Sequence, residues 1–274
     1  MRVAACQMDV QRGRTTVNRS KILTLLQTAI EQDSELTVFP ECATSGYCFD
    51  SQDAASQAAI PADSDYWTPI QQMLETSRRY SAIGFLESND QALFNSVMIL
   101  GPDQFRHLYR KTHLPHLGVD RFVQPNPGGF PVADLPIGKI GINICYDQRF
   151  PESARVSTLN GAQLILVPTN EPDSATDVCD LLTRARAFEN HVYYLWVNRV
   201  GTEGGTTFMG SSQLVGPTGE TLFRLSPQDE AIHWADIDLT VADQKKQVKI
   251  PGAYEIDLLR DRFPPAYAPI AKEK

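Results

Sequence analysis

The chain has few cysteines, and no two of them form a C-x-x-C pair. Cys6, Cys42, Cys48, Cys145 and Cys179 are scattered and odd in number. That pattern excludes a secreted disulfide framework and points to free thiols in a reducing, cytoplasmic setting. No stretch approaches the roughly 20 apolar residues a membrane span needs. The opening MRVAACQMDV has one arginine and no apolar run of signal-peptide length, so it reads as a strand that starts at once. Positive charge is also short. Lys and Arg number 25 against 33 Asp and Glu, a net charge of −8, which argues against a nucleic-acid binder. Gly138 and Gly141 precede Cys145 without completing G-x-G-x-x-G, and no G-x-S-x-G elbow occurs. A dinucleotide site and an α/β-hydrolase serine are therefore disfavoured. No internal repeat and no linker divides the chain. It reads as one domain over residues 1–274, with a proline-bearing, less regular tail from about residue 251.

What is present is a globular composition, 42 % apolar, enough to bury a sizeable core. Short apolar runs predict strands at 2–8, 36–39, 82–86, 96–100, 104–109, 139–144, 163–167, 192–197, 211–215, 221–225 and 231–237. Helical spacing predicts helices at 15–31, 66–80, 152–159 and 178–190. Pro40 and Pro168 are expected to stop the strands before them, since proline cannot donate to a ladder. Asn160-Gly161 suits a left-handed helix end. Strand–helix alternation mixed with hairpins, with much strand for few helices, predicts an α/β fold of two packed sheets with helices outside.

Three polar residues share one placement. Glu41, Lys111 and Cys145 each come directly after a predicted strand. Ligands of open α/β sheets gather beyond the carboxyl ends of strands, and three side chains there converge if their strands are neighbours running the same way. The types suit one chemistry. A thiol is only a few per cent ionised at neutral pH and needs a base. A carboxylate can take its proton and later give it to a leaving amine. An ammonium, with the backbone N–H of Tyr146, can hold an oxyanion. Each residue alone also admits a plainer reading: a small buried hydrophobe for Cys145, a solvated loop residue for Glu41, a surface charge for Lys111.

The surrounding words are more specific. Pro40-Glu41 followed by Gly46-Tyr47, Arg110-Lys111-Thr112-His113-Leu114, and Gly141 with Cys145-Tyr146-Asp147-Gln148-Arg149-Phe150-Pro151-Glu152 resemble, in order, three motifs of the nitrilase (carbon–nitrogen hydrolase) superfamily. Arg184–Asn190 and the turn Gly216-Pro217-Thr218-Gly219 extend the resemblance to nearly the whole chain. It implies a four-layer α-β-β-α sandwich of two mixed sheets with helices outside. It implies a Glu41–Lys111–Cys145 triad, no metal and no organic cofactor. It also implies a small-molecule amide as substrate and a homodimer or higher homo-oligomer. The wording around Cys145 looks closest to the small-amide amidases. N-carbamoyl amide hydrolysis and nitrile hydrolysis stand as alternatives, followed by acyl transfer or a non-catalytic binding relative.

Two departures stand out. Many members of the superfamily carry a second glutamate in the loop after the lysine. Here Asp120 aligns with it, one methylene shorter, so it either holds Lys111 or is a plain loop residue. The same loop reads Gln124-Pro125-Asn126-Pro127 in place of TPGD. Arg149 fits either a substrate carboxylate or a structural pair with Glu152 or Glu189. Tyr47, Phe49, Thr169 and Asn170 are candidate pocket residues. His113 and His116 are separated by Pro115, which argues against a helical metal site.

Overall fold

The computed structural model describes residues 1–90, 92–126 and 128–272; Pro127 of the variant loop lies outside them. The chain opens with β1 (Arg2–Gln7), α1 (Thr15–Glu31) and β2 (Leu36–Val38). After α2 (Gln52–Ala58), β3 (Ile60–Pro61) and α3 (Thr68–Ser77) come β4 (Tyr80–Asn89), β5 (Ala92–Leu100) and β6 (Arg106–Arg110). The hairpin of β7 (Val132–Leu135) and β8 (Gly138–Ile142) is followed by α4 (Pro151–Leu159), β9 (Leu164–Thr169), α5 (Thr183–Asn190) and β10 (Tyr193–Asn198). A small hairpin, β11 (Thr202–Glu203) and β12 (Thr206–Thr207), precedes β13 (Gln213–Val215), β14 (Thr221–Arg224) and β15 (Ala231–Asp236).

These strands form two mixed sheets. One has the order β15-β1-β2-β4-β5-β6, with β3 beside β4; the other runs β14-β13-β10-β9-β8-β7. Period-2 burial shows how they stack. In β9, Leu164 and Leu166 enter the core shared with the first sheet, while Ile165 and Val167 face α4 and α5. In β1, Val3 and Ala5 face the second sheet, and Cys6 packs with Ile22 and Leu26 of α1 and Leu74 of α3. Alternate side chains of a strand point to opposite faces, so strands apolar in both phases need cover on both sides. The result is the expected α-β-β-α sandwich. Among the described residues no helix is long and apolar enough to cross a membrane.

Three local expectations change. Strand β9 runs through Pro168 instead of stopping before it. Leu166 presents its carbonyl to Asn143, so residues 166 and 168 both point their backbone toward β8, which ends at Ile142. The N–H that proline lacks ends the pairing on the β8 side only, while pairing with β10 continues through Pro168 to Thr169. The helix predicted at 178–190 begins as one wide π turn, Val178–Leu182, before α5. Pro251, where an irregular tail was expected to begin, sits in the turn of a hairpin, β16 (Lys246–Ile250) and β17 (Tyr254–Asp257).

Candidate active site

Glu41, Lys111 and Cys145 follow β2, β6 and β8 within a few residues, as their spacing predicts. The strands are not neighbours. β2 and β6 lie in one sheet with β4 and β5 between them, and β8 belongs to the opposite sheet. Three strand spacings separate β2 from β6, about 14 Å. Convergence is across the sandwich, and long side chains complete it.

Lys111 Nζ donates to Glu41 Oε1 at 2.8 Å and to Asp120 Oδ2 at 2.6 Å. Asn95, on β5 between the two, donates to Glu41 Oε1 at 2.6 Å and to Asp120 Oδ1 at 2.9 Å. The Tyr47 hydroxyl donates to Asp120 Oδ2 at 2.8 Å. Asp120 thus reaches Lys111 despite its shorter side chain, because a tight 3-10 turn, Gly118–Arg121, carries it inward. Glu41, Lys111 and Asp120 are all buried. Glu41 Oε2 is buried with no hydrogen-bond partner among the described residues.

Cys145 begins the 3-10 turn Cys145–Arg149 with φ of 44°. That left-handed conformation is costly for a residue with a Cβ and persists only where the surroundings enforce it. Asp147 is the enforcer. It accepts from the Ile144 N–H at 2.9 Å, the His113 N–H at 2.9 Å and the Tyr109 hydroxyl at 2.7 Å, and lies 2.8 Å from His113 Nδ1. One buried carboxylate therefore ties the Cys145 turn to the chain that carries Lys111. His113 is occupied by this contact and by stacking on Phe150, 3.8 Å between ring centres.

The turn of Glu41 is seated by Gly84 of β4. A Cβ on Gly84 would lie 2.2 Å from the Pro40 carbonyl oxygen and 2.7 Å from Glu41 Cα. Both obstacles are backbone, so Gly84→Ala must drive the Glu41 turn outward by about 1 Å. We expect a loss of about 1–3 kcal/mol in stability and about a hundredfold in turnover. Wild-type kcat and melting temperature in purified Gly84→Ala would refute that constraint.

Burial pushes the Glu41 carboxyl above its ordinary range, against the opposing pull of Lys111. Burial lowers the Lys111 ammonium, but Asp120 and Glu41 outweigh it and hold the group well above its usual pKa. The Cys145 thiol is pushed well up by burial and then by Glu41 and Glu171, with Lys111 opposing. Burial and the neighbouring carboxyls thus keep the thiol protonated, the carboxyls keep Lys111 charged, and Glu41 keeps one oxygen without a partner among the described residues.

The thiol opens on a cavity of about 130 Å³ lined by Tyr47, Cys145, Tyr146, Arg149, Asn170 and Glu171, among others. Asn170 also donates to the Glu41 carbonyl at 3.0 Å, joining the two sheets. Thr169 ends β9 behind Glu171, its hydroxyl 3.5 Å from Glu171 Oε2. Phe49 instead packs in a satellite core with Cys42 and Ala55. Arg149 pairs with neither Glu152 nor Glu189. Its partner is Glu171, at 2.7 Å, while Glu189 is held by Arg186. Glu171, Asn95 and Asp147 escaped the sequence reading. Glu171 had a signal, since it directly follows Thr169-Asn170 at a strand end, and Asp147 stood inside a quoted motif. Asn95 had none, lying in mid-strand.

The family model described as carbon-nitrogen hydrolase matches residues 2–247. A protein named nitrilase from Pyrococcus abyssi is 35% identical over 251 residues, covering 90% of this chain and 93% of its own. An (R)-stereoselective amidase from a Pseudomonas species is 32% identical over 267 residues, covering 96% and 91%. A solved amidase from Nesterenkonia sp. superposes with a TM-score of 0.79 at 23% identity over 97% of this chain and 95% of that one, a likeness of fold.

Proposed function

This chain belongs to the carbon–nitrogen hydrolase family, and on that premise we propose that it hydrolyses a small amide through a thioester on Cys145. Glu41 is the base, and Lys111 with the Tyr146 N–H holds the oxyanion. The observation that carries this is the unpartnered, buried Oε2 of Glu41, whose other oxygen is held by Lys111 and Asn95. A fixed carboxylate with one free oxygen, on a turn that Asn170 joins to the wall of the Cys145 cavity, suits the proton transfer this reading needs.

Glu41 takes the thiol proton as sulfur bonds to the amide carbon. The electron pair of the C=O bond moves to oxygen, where Lys111 faces it. Glu41 returns the proton to nitrogen, the C–N bond breaks and ammonia or an amine leaves. Water then gives a proton to Glu41 and its oxygen to the thioester carbon. The acid departs, and the thiolate recovers its proton. Asp120 keeps Lys111 charged and aimed. The apolar side chains Val156, Leu159 and Phe188, exposed on the outer helices, support association with a second copy, and free cysteines support a reducing, cytoplasmic setting.

Intact-mass trapping tests the reading. Incubation with a panel of small amides and rapid acid quench should give an acyl adduct on Cys145, and hydroxylamine should divert it to a hydroxamate. An adduct on any other residue, with Cys145 unmodified, overturns it.

A further inference from the structure

The mechanism leaves one carboxylate at the thiol unused. Glu171 Oε2 lies 3.5 Å from Cys145 Sγ, on the wall of the same cavity. Oε1 is held by Arg149 at 2.7 Å. Oε2 has only the thiol and the Thr169 hydroxyl, both at 3.5 Å and long for bonds to a carboxylate, so its lone pairs remain open toward the cavity. The residue is firmly seated. Its N–H donates to Asn198 Oδ1 at 3.0 Å, and its carbonyl accepts from Asn198 Nδ2 at 3.0 Å. The ion pair is also lopsided, with 6% of the Glu171 side chain exposed against 42% for Arg149. The anion faces inward and the cation faces out.

A second carboxylate beside a thiol that must ionise works against the chemistry, unless the substrate brings a compensating charge. An acyl group with its own carboxylate would meet Glu171, while the guanidinium it needs is already taken. The cavity's other lining residues, such as Tyr47, Leu117, Tyr146 and Asn170, are uncharged. We infer that Glu171, paired with Arg149, makes the acyl pocket select amides bearing an ammonium near the carbonyl and reject those bearing a carboxylate. This rests on Cys145 being the nucleophile, and the test separates the two claims.

Charged thiol reagents read the pocket without turnover. Aminoethyl, methyl and sulfonatoethyl methanethiosulfonate each form a mixed disulfide with a thiol and release methanesulfinate, and they differ in charge. Rates at Cys145, followed by peptide mass mapping and divided by the rates for a free thiol in solution, give a cation-to-anion preference. In the wild type that preference should be about tenfold or more. Glu171→Gln should lower it by at least about threefold, and Arg149→Gln, altering the exposed member, should raise it. A role in folding alone would slow all three reagents alike. A wild-type preference at or below unity, or a Glu171→Gln change under about threefold, overturns the inference. In parallel, β-alaninamide, butanamide and succinamate are assayed as substrates. β-Alaninamide should have the highest kcat/KM in the wild type, and Glu171→Gln should shift the ratio toward succinamate. Hydrolysis that survives Cys145→Ala refutes the nucleophile and leaves the labelling ratios to decide the role of Glu171.

Discussion

Replacing Cys145 with alanine is expected to lower amide turnover by about ten-thousand-fold or more while the melting temperature stays within a few degrees. The two halves of that expectation have separate causes. On the proposed mechanism activity falls because the thioester forms on Cys145, and Glu41 acting on water alone lacks the covalent step that divides the barrier. Stability holds because alanine keeps the Cβ. The left-handed backbone at residue 145 is as strained with alanine as with cysteine, and the Asp147 bonds that enforce it are untouched. The lost thiol's hydrogen bond to Glu171 is long, at 3.5 Å. Cys145→Ser should fail almost as completely. A hydroxyl is a far weaker acid than a thiol, and even the thiol is held protonated here by burial and by Glu41 and Glu171. Ammonia release with any substrate found by adduct trapping, beside a thermal melt, checks both halves. Turnover within about tenfold of wild type would rule out a cysteine mechanism.

What could be read from the sequence follows the range of the forces involved. Strands such as β9 and β10 were legible because both faces are buried, so each appears as an unbroken apolar run. That Glu41, Lys111 and Cys145 sit at strand ends was legible for the same reason. Their meeting was not, because β2, β6 and β8 share no hydrogen bond and two lie in one sheet and one in the other. Pairing across a sandwich leaves no local mark. Pro168 misled because a missing donor ends pairing on one side of a strand only, and here β10 on the other side stays paired through Thr169. The pairing of Arg149 was expected with Glu152 or Glu189, both on predicted helices. The fold instead supplied Glu171 from the end of the adjacent strand β9.

Lys111→Met should be the most damaging single change to the site, and for two reasons that can be measured apart. Lys111 is 1% exposed, and the side chains of its partners Glu41 and Asp120 are wholly buried. Removing the ammonium leaves Glu41 and Asp120 facing each other through Asn95, with neutral donors but not the lysine's charge to offset their burial. Breaking a buried ion pair from one side costs about 3–5 kcal/mol, a large part of the stability of an ordinary domain. At this chain length that corresponds to a fall of about 10 °C in melting temperature. The loss should depend on pH. Without the lysine, the Glu41 carboxyl, already raised by burial, loses the charge that pulls it down, so the folded protein binds more protons there than the unfolded chain. Stability then increases as pH falls, and the deficit at about pH 7.5 should shrink at about pH 5.5. Activity should not return with it. Protonation that rescues the fold removes Glu41 as a base, and the oxyanion still lacks its cation, worth about a hundredfold or more by itself. Thermal melts and kcat at the two pH values separate the effects. A Lys111→Met protein that melts within about 2 °C of wild type at both would show that the lysine is not what compensates Glu41 and Asp120.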